Sequence, residues 1–246
     1  MSKLTQEDFH YIKADLKHGR IAPGTIRYGL SVFLLVSGAL VGIAYAVVTA
    51  SNTVIGWENL SNFWQILFKI EAILFILQLI LIICVKGRSN WSQMVLNVSY
   101  VIYAYKMALD PFVTLSMFAI NDEVYEIYVS MILIVIIIGF IIHIYLIRRY
   151  FQRLKEEQAD KNNEKKNRKG TVSFLILPIF FLLASITGFI IRNQLLGDME
   201  NLFILGACTV VFIGMMIGTI EFVIGAYCVI RFPSFRVNPP TEDNHQ

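Results

Sequence analysis

The 246-residue chain is too apolar for an ordinary water-soluble domain, since 56% of its residues are hydrophobic and only 16% are charged. Soluble domains carry about 25% charged residues. The apolar residues form runs close to the roughly 20 residues with which a helix crosses a bilayer. Segments of alternating polarity, which transmembrane strands require, are missing. The composition therefore predicts an all-α, polytopic transmembrane bundle, and the net charge of +3 says little about function.

The polar N-terminal segment, residues 1–27, is predicted to lie in the cytoplasm. Thr5 can cap a short helix, on which Phe9, Ile12 and Leu16 share one face. This pattern fits either an interfacial helix on the cytoplasmic leaflet or a partly ordered polar tail. The apolar run that follows is too long for the core of a cleavable signal peptide, so it is predicted to be retained as a first span.

Six spans are predicted, which together form a transmembrane domain over residues 28–230. The third is interrupted by Lys106, Asp110 and Pro111, so it is either one kinked span or a pair of shorter segments. The fourth is expected to continue beyond the bilayer into the cytoplasm. The predicted spans cover residues 28–49, 64–85, 93–119, 126–147, 171–191 and 203–230.

The distribution of positive charge orients these spans. A basic loop over residues 148–170 holds nine of the 21 basic residues, and 18 of the 21 fall in segments that an orientation with both termini inside places in the cytoplasm. Cytoplasmic loops carry such an excess of Lys and Arg. The protein is therefore expected in a cell membrane, that of a bacterium, with N- and C-termini inside. Residues 231–246 are predicted to be a disordered cytoplasmic tail.

Four ionisable residues within the predicted spans are candidates for an intramembrane polar or ion-pair site: Glu71, Lys106, Asp110 and Glu221. Each charge costs roughly 3 kcal/mol at the centre of an inserting helix. Lys106 and Asp110 are four residues apart and share a face, either as a polar site or ion path at a kink or as an ion pair in the bundle core. Glu71 shares a face with Gln78, which is expected to face other helices.

Small residues mark predicted helix-packing faces. In the last span, glycines recur with Glu221 at spacings of four, three and four residues, which lets a second backbone approach closely. A carboxylate in that seam is either a proton carrier or a structural partner of a cation, and Lys106 is the obvious partner by charge. The predicted packing glycines of the first and last spans are Gly38, Gly42, Gly214, Gly218 and Gly225.

Catalytic signatures are missing from the sequence. It contains no HExxH, Walker A or GxSxG motif, and its three cysteines are too scattered for a disulfide framework or a zinc site. No catalytic, cofactor-binding or metal site is predicted, nor is a nucleic-acid partner. The chain is expected not to be an enzyme, with an intramembrane enzyme as the third alternative.

Two functions are preferred over an intramembrane enzyme. The first is a non-catalytic membrane component, such as an accessory subunit, an immunity protein or part of a secretion apparatus, whose partners are other membrane proteins or a second copy of the chain. The second is a transporter or permease subunit. In layout the whole chain resembles the six-span permeases of ABC-2-type exporters, which implies a cytoplasmic ATPase as partner and a small molecule or peptide as cargo.

The resemblance to those permeases rests on size, cytoplasmic termini and the N-terminal helix rather than on a motif. The chain departs from their pattern because its longest loop is cytoplasmic and the connection before its last span is short. In general layout it also resembles multi-pass proteins of Gram-positive bacteria, some of them associated with type VII secretion or toxin immunity. Its Lys-, Asn- and Ile-rich composition fits such a source.

Overall fold

The computed structural model describes residues 6–9, 12–13, 15–16, 19–49, 56–121, 125–159 and 200–237. This part of the chain is all-helical, with long helices α1 (Pro23–Thr49), α2 (Asn62–Cys84), α3 (Asn90–Phe118), α4 (Tyr125–Ala159) and α5 (Glu200–Arg231). Of these, α1, α2, α4 and α5 are long and apolar enough to cross a membrane. The predicted span at 171–191, most of the basic loop and the end of the tail lie outside the described residues.

Local sequence signals set the helix boundaries. α1 begins at Pro23, whose missing amide hydrogen and fixed φ suit a first helical turn. Ser89 caps α3, because its hydroxyl and that of Ser92 each accept a hydrogen bond from the other's amide. Gly87 joins α2 to α3 with a φ of 69°, and a Cβ on it would lie 2.5 Å from the Cβ of Pro23. The turn therefore requires glycine.

The third predicted span is one continuous helix rather than two segments. α3 runs through Pro111 without ending, although the proline ring removes one backbone hydrogen bond. Three residues later, Thr114 Oγ1 lies 3.0 Å from the carbonyl oxygen of Leu40 in α1 and 3.1 Å from that of Asp110. α3 has 29 residues, which corresponds to about 43 Å of helix.

α3 lies at the centre of the bundle, packed between α1 and α5. Among the five long helices described, α3 is the one that is not apolar enough to be identified as a membrane span by composition. Its buried residues include Asn97, Lys106 and Asp110. The exposed residues of α2 and α4 are instead dominated by isoleucine, for example Ile73 and Ile141. Polar groups therefore face the interior and apolar side chains face outward, as expected for helices surrounded by lipid.

α1, α2 and α3 alternate in direction. Residues near the start of α1 meet residues near the end of α2, and the same holds for α2 and α3, so neighbouring helices run antiparallel. α3 consequently runs alongside α1 in the same direction. The contacts that fix these directions are Leu30 with Gln78 and Tyr45 with Phe68 for α1 and α2, and Leu74 with Tyr103 and Glu71 with Lys106 for α2 and α3.

α4 and α5 run parallel to each other. Phe140 of α4 contacts Phe212 of α5, with ring centroids 6.3 Å apart. Eleven residues further along α4, Phe151 contacts Tyr227, at 5.5 Å. Because residue numbers increase together along both helices, the two helices point the same way. α4 also extends to Ala159, so the helix continues past residue 147, where the predicted fourth span ends.

The N-terminal residues pack against one end of the bundle. Phe9, Ile12 and Leu16 are each no more than 2% exposed. Phe9 contacts Phe151 of α4 and the C-terminal end of α5 around Tyr227. The apolar face that the sequence indicated on this segment is therefore buried against helices of this chain. We call this group, with its neighbours, the helix-end cluster: Phe9, Ile12, Leu16, Ile21, Ile26, Leu30, Leu96, Tyr103, Ile224, Cys228, Val229 and Phe235.

Candidate functional site

Three of the four ionisable candidates lie together inside the bundle. Lys106 Nζ is 2.5 Å from Glu71 Oε2 and 3.1 Å from Asp110 Oδ2. It also donates a hydrogen bond to Ser37 Oγ, at 2.6 Å. We call Ser37, Glu71, Lys106 and Asp110 the buried ion cluster. None of its members is more than 9% exposed.

Each side chain of the buried ion cluster is positioned by helix periodicity. Lys106 and Asp110 are one turn apart on α3, so their side chains meet on the same face. Glu71 lies on the buried face of α2 with Phe68 and Gln78, at spacings that place all three on one stripe. α1 contributes Ser37. The cluster therefore joins the helices α1, α2 and α3.

The hydrogen-bonding capacity of the Lys106 ammonium is fully used. An ammonium has three hydrogens and no lone pair, and Nζ donates to three oxygen atoms, Ser37 Oγ and the two carboxylate oxygens of Asp110. Glu71 Oε2 lies in ion contact with Nζ but accepts no hydrogen bond within the described residues. Both Asp110 oxygens are within 3.2 Å of Nζ. Two carboxylates and one ammonium carry a net charge of −1 when all are ionised. In the described part of the chain, no second cation contacts either carboxylate.

Glu221 lies apart from the buried ion cluster. Its carboxylate accepts a hydrogen bond from Arg20 Nη2 at 2.9 Å, and both side chains are more than a third exposed. The partner that the sequence suggested, Lys106, instead contacts Glu71 and Asp110. The difference is one of depth: Glu221 lies near the C-terminal end of α5, level with the start of α1, whereas Lys106 lies in the middle of α3.

Two further polar contacts join helices but were not predicted. Gln78 Nε2 donates to the carbonyl oxygen of Leu30 at 2.9 Å, which links α2 to α1. Tyr105 Oη and His143 Nε2 are 2.7 Å apart, which links α3 to α4. His143 is 2% exposed, and among the described residues no group of three His, Cys, Asp or Glu side chains could hold a metal ion. Helical spacing does not reveal such pairs because their partners lie far apart in sequence.

Two of the predicted packing glycines make close contacts. A Cβ on Gly38 would lie 2.8 Å from the ring of Phe75 in α2. A Cβ on Gly225 would lie 2.8 Å from Cγ2 of Ile21, and Ile21 is fully buried. Gly225 therefore allows the N-terminal segment to approach α5 closely.

The other predicted glycines differ. Around Gly42 and Gly214, a Cβ would meet nothing within 4 Å in the described part of the chain. Gly218 is partly buried on α5. A close contact that was not predicted is Gly139 of α4, where a Cβ would clash with the ring of Phe212. Because Gly139 lies in an isoleucine-rich run, the sequence around it contains no pattern of small residues that would predict this contact.

Together the apolar helices and the inward-facing polar groups define a membrane-embedded helical protein. Comparison of the chain with protein-family models, with curated proteins and with solved structures finds no match in any of the three.

Proposed function

We propose that the protein is a six-span integral membrane protein with both termini in the cytoplasm, and that it acts as a non-catalytic component of a membrane assembly. The parallel directions of α4 and α5 support the number of spans. Because α4 ends at the same end of the bundle as α5, the chain between them has to cross to the opposite end. The apolar stretch at 171–191 has the length for that crossing.

The length and position of α3 support its assignment as a further span. Its 29 residues exceed the roughly 20 that the hydrocarbon core requires. Its charged side chains Lys106 and Asp110 are covered by α1 and α2, so lipid does not meet them. A polar helix that is shielded in this way can cross the bilayer, even though its hydropathy alone does not indicate a span.

The exposed charges support the orientation. Arg88, between α2 and α3, and Arg148, in the last part of α4, lie towards the same end as Arg231, the last residue of α5, and all three are exposed. Glu58 is exposed at the opposite end, between α1 and α2. Because cytoplasmic segments carry an excess of positive charge, the end of the bundle with these three arginines faces the cytoplasm, here the cytoplasm of a bacterial cell.

The saturated Lys106 ammonium is the observation that carries the non-catalytic role. A catalytic or substrate-binding lysine needs a free lone pair or a free N–H group. Lys106 Nζ donates to Ser37 of α1 and to both carboxylate oxygens of Asp110 on its own helix, and it lies in ion contact with Glu71 of α2. The buried ion cluster therefore serves to hold α1, α2 and α3 together. We expect the apolar outer faces to meet lipid and the partner proteins of the assembly, as an accessory, immunity or secretion-associated component would.

Purification of the full chain from its native membranes in a mild detergent tests this role. We expect the chain to be recovered together with other membrane proteins in a fixed ratio, as a complex that is larger than a single chain. An untagged chain expressed at the same level is the matched control for non-specific recovery. Recovery as a single chain that alone catalyses a reaction or transports a solute in proteoliposomes would contradict the proposal.

A transporter or permease subunit is the second candidate, favoured by the excess carboxylate in the buried ion cluster. Acidic groups inside a bundle mark many ion and proton pathways. If this role is correct, Glu71→Gln or Asp110→Asn abolishes solute flux in proteoliposomes, whereas Glu221→Gln retains it, and a cytoplasmic ATPase is recovered with the chain. Unchanged flux in both cluster variants removes the cluster from the transport mechanism.

A further inference from the structure

The buried ion cluster is unbalanced in charge. Glu71 and Asp110 are 8% and 1% exposed, and they share the single ammonium of Lys106. Ser37 from α1 and Thr114 one turn further along α3 are the neighbouring neutral polar groups. Lys69, the single cation of α2, is exposed and points about 200° away from Glu71 on the helix. It therefore does not neutralise the second carboxylate.

We propose that the buried ion cluster binds one proton, which its two carboxylates share. Proton uptake converts one carboxylate to a carboxylic acid, breaks no other bond and brings the cluster to zero net charge. This inference rests on the proposed membrane-spanning arrangement, because lipid on the outer faces of α1 and α2 keeps water from compensating the charge. Two carboxylates that share one cation at a buried site do not both ionise readily.

The geometry favours Glu71 as the side chain that carries the proton. Asp110 accepts hydrogen bonds from Lys106 at both of its oxygens, which is the arrangement of an ionised partner. Glu71 Oε2 lies in ion contact with Lys106 Nζ but accepts no hydrogen bond within the described residues. In addition, Ser37 accepts from Lys106 and forms a side-chain hydrogen bond with Asp110, a further contact that suits an ionised Asp110. A proton on Glu71 therefore leaves the Lys106–Asp110 pair intact.

Infrared difference spectroscopy of the full chain in liposomes, at neutral pH in H₂O and in D₂O, tests the inference. The wild-type protein is expected to show the carbonyl stretch of a protonated carboxylic acid, shifted by deuteration. The isosteric variants Glu71→Gln and Asp110→Asn are expected to lose this band completely, because each leaves one carboxylate with one ammonium. Glu58→Gln, at an exposed carboxylate, and Glu221→Gln are the matched controls and are expected to retain it.

Three outcomes overturn the inference. The first is a wild-type spectrum without a protonated carboxyl band, a result that does not depend on whether the variants fold. The second is a band that persists unchanged in folded Glu71→Gln and Asp110→Asn. The third is a spectrum that lacks the carboxylic-acid band and in which the carboxylate bands of the cluster change with sodium but not with choline. That result indicates a bound monovalent cation. Cysteine labelling of the loops tests the membrane arrangement separately, so a missing band with the expected labelling pattern counts against the proton alone.

Discussion

Arg20 and Glu221 form an ion pair across 201 residues of sequence, with Nη2 2.9 Å from Oε1. Arg20 precedes α1, and Glu221 lies on α5, the last long helix. The pair therefore ties the N-terminal segment to the C-terminal helix at the end of the bundle where the helix-end cluster lies. Ile21, the next residue, is fully buried and packs on Gly225, so the ion pair borders an apolar contact.

We predict that breaking this ion pair has a small effect. Both side chains are more than a third exposed, and solvent-exposed pairs contribute about 0.2–1 kcal/mol. Arg20→Gln and Glu221→Gln should each lower the melting temperature in detergent only slightly, and the double variant should be no worse than either one. A loss in Glu221→Gln as large as that in Lys106→Met would show that Glu221 is a buried charge after all.

Removing Lys106 is expected to be severe. Lys106→Met leaves two buried carboxylates without their cation, and an orphaned buried charge costs about 3–5 kcal/mol. The triple variant Lys106→Met, Glu71→Gln, Asp110→Asn should be closer to wild type in thermal stability, because it buries no net charge. Lys69→Met, at an exposed lysine near the same depth, is the control and should change little. A triple variant less stable than Lys106→Met would refute this charge argument.

The helix-end cluster should depend on the N-terminal segment. Phe9 is fully buried among aromatic rings of α4 and α5, and truncation of a buried phenylalanine typically costs about 3–5 kcal/mol. Phe9→Ala should therefore lower the melting temperature and expose the N-terminus to protease. Gln6→Ala, at an exposed position, should do neither. Equal protease sensitivity of the two variants would mean that the segment does not stay packed in solution.

Two of the four glycines of α5 allow a comparison within one helix. A Cβ on Gly225 would press on buried Ile21, while one on Gly214 would meet nothing within 4 Å in the described residues. Alanine favours a helix over glycine by about 1 kcal/mol. We therefore expect Gly214→Ala to maintain or raise the melting temperature and Gly225→Ala to lower it. The opposite order of the two variants would argue against the close approach of the N-terminal segment.

Much of the fold could be predicted from the sequence because hydropathy and helix period are local signals. They gave the bounds of α2, α3 and α5 to within three residues and the shared face of Lys106 and Asp110, whereas α1 begins five residues before the predicted first span. They also gave the common stripe of Glu71 and Gln78. The long apolar runs of α2 and α4 are unambiguous for the same reason.

The remaining contacts could not be predicted because they join residues that are distant in sequence. Nothing local indicates that Ser37 accepts from Lys106, or that Arg20 rather than Lys106 pairs with Glu221. These contacts depend on the depth and rotation of each helix, which its neighbours set. A charge in a predicted span therefore does not by itself predict burial or a partner, since Glu221 is more than a third exposed and pairs with Arg20. Gly139 is a similar case, since only the structure shows its contact with Phe212.

We propose that the chain crosses the membrane once between α4 and α5, which gives six spans with both termini inside. Cysteine labelling with a membrane-impermeant maleimide in intact cells tests it most directly, in a background with the native cysteines replaced by serine. Leu202, at the start of α5, and Arg148, in the last part of α4, are both exposed. Glu58→Cys and Arg88→Cys are the outer and inner controls.

Leu202→Cys and Glu58→Cys are predicted to be labelled in intact cells, and Arg148→Cys and Arg88→Cys only after permeabilisation. Labelling of Leu202→Cys and Arg148→Cys from the same side of the membrane would contradict the crossing and, with it, the six-span arrangement.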